Sequence, residues 1–456
     1  SRIETYILAM QIIKKYIFLI ALVGTVNLGA QEAESPKIAW TLEQCIEYAR
    51  VNNITLKSQK LNVDYAQNRY EQSKRDILPS LNASSNYNMT SGKASDPNTF
   101  QLFDVTIQTS NYSISSSVPV FQGFTMRNKI RKNESDLNAA IEDAEAVEND
   151  IALAITSYYA QILFNKELLA AARLQFETVN QQVDRTSKLV QAGTLAEGSL
   201  LEIKSVAARE ALNVTQLENS LRLSLIDLAL SLNLESVEQF DVVSPNLPEF
   251  TGGELTEGSL VLDYALKNLP QIKAAEYRAV SSDKDLDIAR GYLLPSLAVG
   301  AGWSTFVTKH KKLQNFDFGE SFKENGSQYI GFSLNIPIFN GLSTRSSIKN
   351  AKIGVLNAQL ALEQQKLTLR KEIQQASADA DAAFRQYLAA LSAVDSYRES
   401  FRYTEKRYNV GMVNVVDYNV AKSEYMKAEA DFIQAKYTYF LRLKILDFYQ
   451  GKPLVI

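Results

Sequence analysis

Two hydrophobic periodicities alternate along this chain, and the alternation runs twice. From Thr41 to Asp76 apolar positions fall at helical spacing among Glu, Gln and Lys, behind a Thr suited to an N-cap, and Pro79 stops the run. From Ser80 to Met89 the period drops to two. Leu81, Ala83, Ser85, Tyr87 and Met89 share one face; Ser80, Asn82, Ser84, Asn86 and Asn88 share the other. A polar tip, Ser91 to Asn98, precedes a second alternating run, with Tyr112, Ile114, Val118 and Val120 opposite Asn111, Ser113, Ser115 and Ser117. From Gly123 to Gly193 there are then 70 positions (193 − 123) without Pro or interior Gly. Ile155, Ile162, Leu169, Phe176, Val183 and Val190 recur every seven residues there, with Ile151, Tyr158, Ala172 and Val179 beside them. This predicts a helix of roughly 105 Å that packs against two neighbours. Gly193 ends it, and Leu200 to Leu232 returns antiparallel after a tight turn.

The second half repeats the order. Leu297, Val299, Ala301, Trp303 and Val307 alternate with Ala298, Gly300, Gly302 and Ser304; a loop runs from Lys309 to Asn325. Ile330, Phe332, Leu334, Ile336 and Ile338 then alternate with Tyr329, Gly331, Ser333 and Asn335. Ile373, Ala380, Tyr387, Val394, Phe401 and Tyr408 carry the second heptad seam to Gly411, and Val415 to Gln450 returns. The corners echo one another: "DILPSL" and "YLLPSL", then "SVPVFQGF" and "NIPIFNGL". Pro119 to Pro337 (337 − 119), Gly123 to Gly341 and Gly193 to Gly411 are each 218 residues apart, and Pro79 to Pro295 is 216. A tandem duplication follows, with Pro79, Pro119, Gly123, Pro295, Pro337 and Gly341 at strand–helix corners. The expected boundaries are 36–245 and 259–456 for the repeats and 246–258 for the linker.

Strands with one apolar face and one face of Ser, Asn and Gly suit a soluble sandwich or a membrane barrel. Their length and small-residue content favour the barrel, apolar side to lipid, with Tyr87, Tyr112, Phe121, Trp303 and Phe339 as an aromatic girdle near strand ends. Open edges cannot face lipid, so four strands per chain must be completed by other copies. Residues 10–30, with Lys14 and Lys15 before an apolar core, read as a secretory signal peptide.

Composition narrows the chemistry. The 456 residues are 46% hydrophobic and 22% charged with net charge −3, which excludes a disordered chain and gives no basic signature for nucleic acid. One Cys, Cys45, expected on a buried helix face, and one His, His310, leave little for disulfide, metal or acid–base chemistry. The expectation is a non-enzyme without cofactor.

In this order, the duplicated "LPSL" corners, "PVFQG" and "PIFNG", and the C-terminal run from "RYNVGMVNVVDYNVAKSEY" to "DFYQGKPL" resemble the TolC-like outer-membrane efflux protein family, over about Trp40 to Leu454. The resemblance implies an α+β membrane protein: a homotrimer whose long helical hairpins form an α-barrel continuous with a twelve-stranded transmembrane β-barrel. It implies an outer-membrane exit duct with a periplasmic extension, partnered by a periplasmic adaptor and an inner-membrane transporter, for efflux or type I secretion. Ala192, Gly193 and Thr194, and Val410, Gly411 and Met412, match the family's tip turns, which imply adaptor contacts; the first set departs from the usual Val-Gly-Leu. Asp417 falls at the family's acidic lumen constriction, with Ser199 and Val420 where acids are common. A periplasmic coiled-coil adaptor and a structural envelope protein are the alternatives. Drugs, metal ions and polypeptides all remain open as cargo.

Overall fold

The computed structural model describes residues 38–95, 100–237, 240–245, 247, 250, 258–310 and 316–455. The signal segment 10–30 lies outside them, as do parts of the two expected loops (96–99 and 311–315) and most of the linker.

Strand β1 (Ile38–Trp40) leads into α1 (Leu42–Asn52) through a capping box: Thr41 Oγ1 accepts from the Gln44 amide, and Gln44 Oε1 accepts from that of Thr41. The single helix expected over Thr41 to Asp76 is in fact two, because Asn53 is extended (ψ 127°) and starts α2 (Ile54–Arg75). Its buried amide does two jobs that a helix interior would forbid. Oδ1 caps the Leu56 amide at 3.1 Å, and Nδ2 donates to the Ser231 carbonyl at 2.9 Å. Strands β2 (Ser80–Ser95) and β3 (Leu102–Gln122) follow, then α3 (Thr125–Gln191) and α4 (Glu197–Leu232).

Near the end of the first repeat, ahead of the expected linker, stands a strand, β4 (Phe240–Val242), parallel to β1. Helices α5 (Gly258–Asn268) and α6 (Pro270–Gly291) repeat the broken helix, here with Pro270 at the first position of α6. Strand β5 (Ser296–His310) reaches further than its expected end. The loop after it holds a helix, α7 (Phe318–Glu324), before β6 (Ser327–Asn335). Helices α8 (Ser343–Asn409) and α9 (Val415–Tyr449) close the chain. Both long helices have 67 residues, about 100 Å each.

β2, β3, β5 and β6 form one antiparallel sheet in that order. Cross-strand partners share a face, so the register sorts the side chains. Leu81, Ile114, Trp303 and Ile330 lie on one side, with Val118, Val299, Phe332, Leu297 and Leu334. The other side is a ladder of hydroxyls. Ser84 meets Ser113 at 2.8 Å, Ser304 meets Ser327 at 3.1 Å, and Gly302 lies under the Tyr329 ring. β6 stops at Asn335 instead of continuing to Ile338. β5 begins at Ser296, opposite Asn335, so no described residue pairs with residues 336–338, and Pro337 has no N–H to offer. β3 does run past Pro119 to Gln122, because a bulge between Pro119 and Phe121 restores its pairing with β5.

The core lies between the helices. Leu42, Cys45, Ile155, Tyr159, Ile162, Leu228 and Phe240 gather α1, α3, α4 and β4 into one cluster. Val261, Ile272, Leu369, Ile373 and Leu446 do the same for α5, α6, α8 and α9. Ile373 and Leu446 stand 218 residues after Ile155 and Leu228 (373 − 155, 446 − 228), so the duplication extends to the packing. Cys45 is fully buried, its thiol pushed up to about 12 by burial and by Glu43, which makes it inert.

Candidate functional site: the two hairpin tips

The ends of α3 and α8 are built alike. At the first, the Gly193 amide donates to the Val190 carbonyl at 2.9 Å and the Thr194 amide to that of Leu189 at 3.0 Å. At the second, Gly411 donates to Tyr408 at 3.0 Å and Met412 to Arg407 at 2.9 Å. These are paired Schellman closures, and they need a left-handed residue: φ is +73° at Gly193 and +76° at Gly411. Neither glycine has a neighbour near its absent Cβ, so the requirement is conformational and the tips stand open. Ala192, Thr194, Val410 and Met412 are all exposed.

The chain then re-enters helix through different caps. Asn414 Oδ1 accepts from the Asp417 amide at 2.9 Å, and Asn414 Nδ2 donates to Asp417 Oδ2 at 3.0 Å. Asp417 is therefore an exposed first-turn carboxylate, favoured there by the helix dipole. Ser199 occupies the equivalent place in α4 (417 − 199 = 218) and is half-buried, behind an Ala196 N-cap with no side-chain bond. Val420 is exposed on α9.

Residues that sequence reasoning passed over tie the two hairpins together just behind the tips. Gln182 Nε2 on α3 donates to the Tyr418 hydroxyl on α9, and Arg185 Nη1 donates to Asn409 Oδ1 at 2.9 Å. Tyr418 is buried and stacked on Tyr408, with ring centroids 4.6 Å apart, and lies against Phe401. Its counterpart in the first repeat is Leu200 (418 − 218), so the departure between halves was the available signal. Further along, the Glu167 carboxylate accepts from Lys436 Nζ at 2.9 Å and from the Tyr437 hydroxyl at 2.7 Å.

Lys422 is the unusual charge here. Only 6% of it is exposed, beside a groove of about 760 Å³ between α4 and α9 lined by Glu202, Arg209, Glu210 and Met426. Burial pulls its pKa below the usual 10.5, against the opposing pull of Glu210 on α4 and Glu405 on α8. A base whose folded pKa is depressed destabilises the fold while it is protonated. Stability should therefore rise as pH climbs through the depressed value toward 10.5. Lys422→Met keeps the length and removes the charge. It is expected to gain about 1–2 kcal/mol near neutral pH and to lose that part of the pH slope, read by thermal melts at stepped pH.

No helix among the described residues is long and apolar enough to cross a membrane, and no group of His, Cys, Asp and Glu there could hold a metal. What remains is a sheet with a lipid-compatible face at one end of two very long hairpins, and open turns at the other. That arrangement defines a conduit subunit of a cell envelope.

The comparisons name the class. The sequence model described as outer membrane efflux protein matches residues 45–234 and 261–451. The chain is 24% identical over 433 residues to the outer membrane protein TolC of Vibrio cholerae, covering 93% of this chain and 92% of that one. It is 25% identical over 389 residues to the pyoverdine export outer membrane protein OpmQ of Pseudomonas putida, covering 81% and 77%. The solved structure of the outer membrane protein VceC of Vibrio cholerae superposes with a TM-score of 0.72 at 18% identity, covering 91% and 96%. The chain belongs to the outer membrane efflux protein family. It is an outer-membrane exit duct rather than an enzyme, which sets aside the free adaptor and the structural envelope protein.

Proposed function

We propose that three copies close the duct, and that the tips at Gly193 and Gly411 receive a periplasmic adaptor that links it to an inner-membrane transporter. The observation that carries this reading is the sheet. Among the described residues β2 and β6 each leave one edge unpaired, and apolar side chains on these two strands stand uncovered, with Leu81 76% and Ile330 78% exposed. Neither condition survives in lipid unless copies pair edge to edge, and three chains of four strands give a twelve-stranded barrel. The long hairpins then extend it as an α-barrel into the periplasm. The repeats 36–245 and 259–456 supply equivalent staves, joined through 246–258. The β2–β3 and β5–β6 connections lie at the end opposite the tips and face the exterior. In a trimer Asp417 becomes a ring of three carboxylates, a cation-favouring constriction. Substrate choice among drugs, metal ions and polypeptides rests with the transporter.

Two substitutions separate these roles. Gly411→Val puts a Cβ where φ is positive, at a cost of about 1–2 kcal/mol, and adds a branched side chain to the tip surface. Trimers should survive while adaptor binding weakens. Asp417→Ala should leave adaptor binding intact and alter single-channel current and cation preference. Native mass in detergent, adaptor binding and conductance test all three statements. A stable monomer, Gly411→Val trimers that bind adaptor normally, or an unchanged Asp417→Ala current would each refute the corresponding part.

A further inference from the structure

Within the β5–β6 connection, residues 316–326 fold back on the apolar face, and α7 lies across it. Phe318 and Phe322 pack against Tyr112 of β3, with ring centroids 6.3 and 5.4 Å away, and Phe322 reaches Trp303 of β5 at 5.5 Å. The placement is pinned by polar bonds as well. Thr305 Oγ1 donates to the Phe322 carbonyl at 2.7 Å, and Asn325 Nδ2 donates to the Phe306 carbonyl at 2.8 Å. Thr305 and Val307 are buried beneath it, each 3% exposed. Asp317 caps the helix, and Glu320, Lys323 and Glu324 point away from the sheet, exposed. Among the described residues the β2–β3 connection has no such helix, so the device breaks the duplication.

The two sides of α7 make incompatible demands unless the membrane ends there. Its inner side needs the apolar sheet face; its outer side carries three charges that would each cost a few kcal/mol in hydrocarbon. An amphipathic helix of this kind belongs at the boundary of lipid and water. We propose that α7 is a collar in the headgroup layer of the outer leaflet, and that it fixes the upper limit of the lipid-facing band at Trp303 and Tyr112. Phe316 and Phe318, 37% and 48% exposed, supply the aromatic surface that such a layer accepts. Val299 and its partner Phe332 lie four residues further down β5 (303 − 299), about 13 Å along the strand and about 10 Å along the membrane normal at barrel tilt. The proposal rests on the reading of this sheet face as lipid-facing.

Trp40 and Trp303 are the two tryptophans of the chain, which makes the test direct. Trp40→Phe leaves Trp303 as reporter in protein reconstituted into phosphatidylcholine vesicles, brominated either near the carbonyl end or near the methyl end of the acyl chain. Trp303 should be quenched about twofold or more strongly by the carbonyl-end bromines. Phe318→Ala with Phe322→Ala should raise its quenching by aqueous acrylamide about twofold, since the collar no longer covers it. A second reporter, Phe332→Trp with both native tryptophans changed to Phe, should respond most to the methyl-end bromines. Trp303 quenched most from the methyl end, or indifferent to loss of the two phenylalanines, overturns the collar while Phe332→Trp upholds the sheet face. If no bromine reaches Phe332→Trp, the outward reading of the face fails and the collar with it.

Discussion

Lysine at Phe332 is expected to abolish assembly into the outer membrane, whereas lysine one residue further on, at Ser333, is expected to be tolerated. Phe332 is 77% exposed in the single chain, opposite Val299 on the apolar face of the sheet. Ser333 is paired with Ala298 on the face of hydroxyls and glycines. In the proposed barrel a one-residue step thus exchanges lipid for lumen. A lysine near the bilayer midplane costs about 2–4 kcal/mol in a barrel of this type. Three copies in the proposed trimer raise that to about 6–12 kcal/mol, before the lost burial of the ring is counted. That is comparable to the whole stability of an ordinary domain. The measurement is the amount of assembled protein in the outer-membrane fraction, with native mass to report the oligomer. Wild-type levels of Phe332→Lys, or equal loss with Ser333→Lys, would mean that the two faces have been assigned the wrong way round.

The faces were legible because period-two alternation survives translation into structure residue by residue: Leu81 to Met89 and Ile330 to Leu334 lie on one side, as their spacing requires. The heptad seams were legible for the same reason. Ile155, Ile162, Leu169 and Val179, with Leu369, Ile373, Ala380, Tyr387 and Val394, are buried, although Tyr158 stays exposed and Phe176, Phe401 and Tyr408 are half-buried in the single chain. The tip glycines announced themselves by isolation in long helical stretches. What escaped the sequence depends on a partner far along the chain. The helix breaks at Asn53 because the Ser231 carbonyl is there to accept from the Asn53 side chain and Asn233 Oδ1 to accept from the Ile54 amide. Residues 240–242 become a strand because residues 38–40 lie alongside. The placing of aromatics near strand ends was partly amiss. Phe121 stands at a corner, but Tyr87 falls in the middle of β2, and Tyr112 and Trp303 lie beneath α7, a helix whose seven residues are too few to show a period. The tie between Gln182 and Tyr418 escaped because it joins two positions that only the folded hairpins bring together.

The echoed corner phrase, spelled alike in both repeats, is expected to respond unequally to the same substitution. Gly123 and Gly341 both adopt left-handed backbone, at φ +59° and +62°, and each precedes a long helix. Alanine in that conformation costs about 1–2 kcal/mol at either site. Gly341 has nothing within 4 Å of its absent Cβ, so within one chain the cost stops there. Gly123 faces the end of α6, where a Cβ would meet the Gly291 carbonyl oxygen at 2.2 Å. That oxygen cannot swing aside like a side-chain tip, since it accepts from the Leu294 amide at 3.0 Å. Gly291 is constrained in return: a Cβ on it would meet the Gly123 carbonyl oxygen at 2.5 Å. Two glycine backbones therefore lock the first corner against the second repeat, and overpacking of this kind adds about 1–3 kcal/mol or more. Gly123→Ala should lose roughly 2–5 kcal/mol in all, enough to lower the melting temperature of the detergent-solubilised protein more than Gly341→Ala does. Equal melting shifts would show that the corners differ in their surroundings without differing in their stability, and the lock at Gly291 would be refuted.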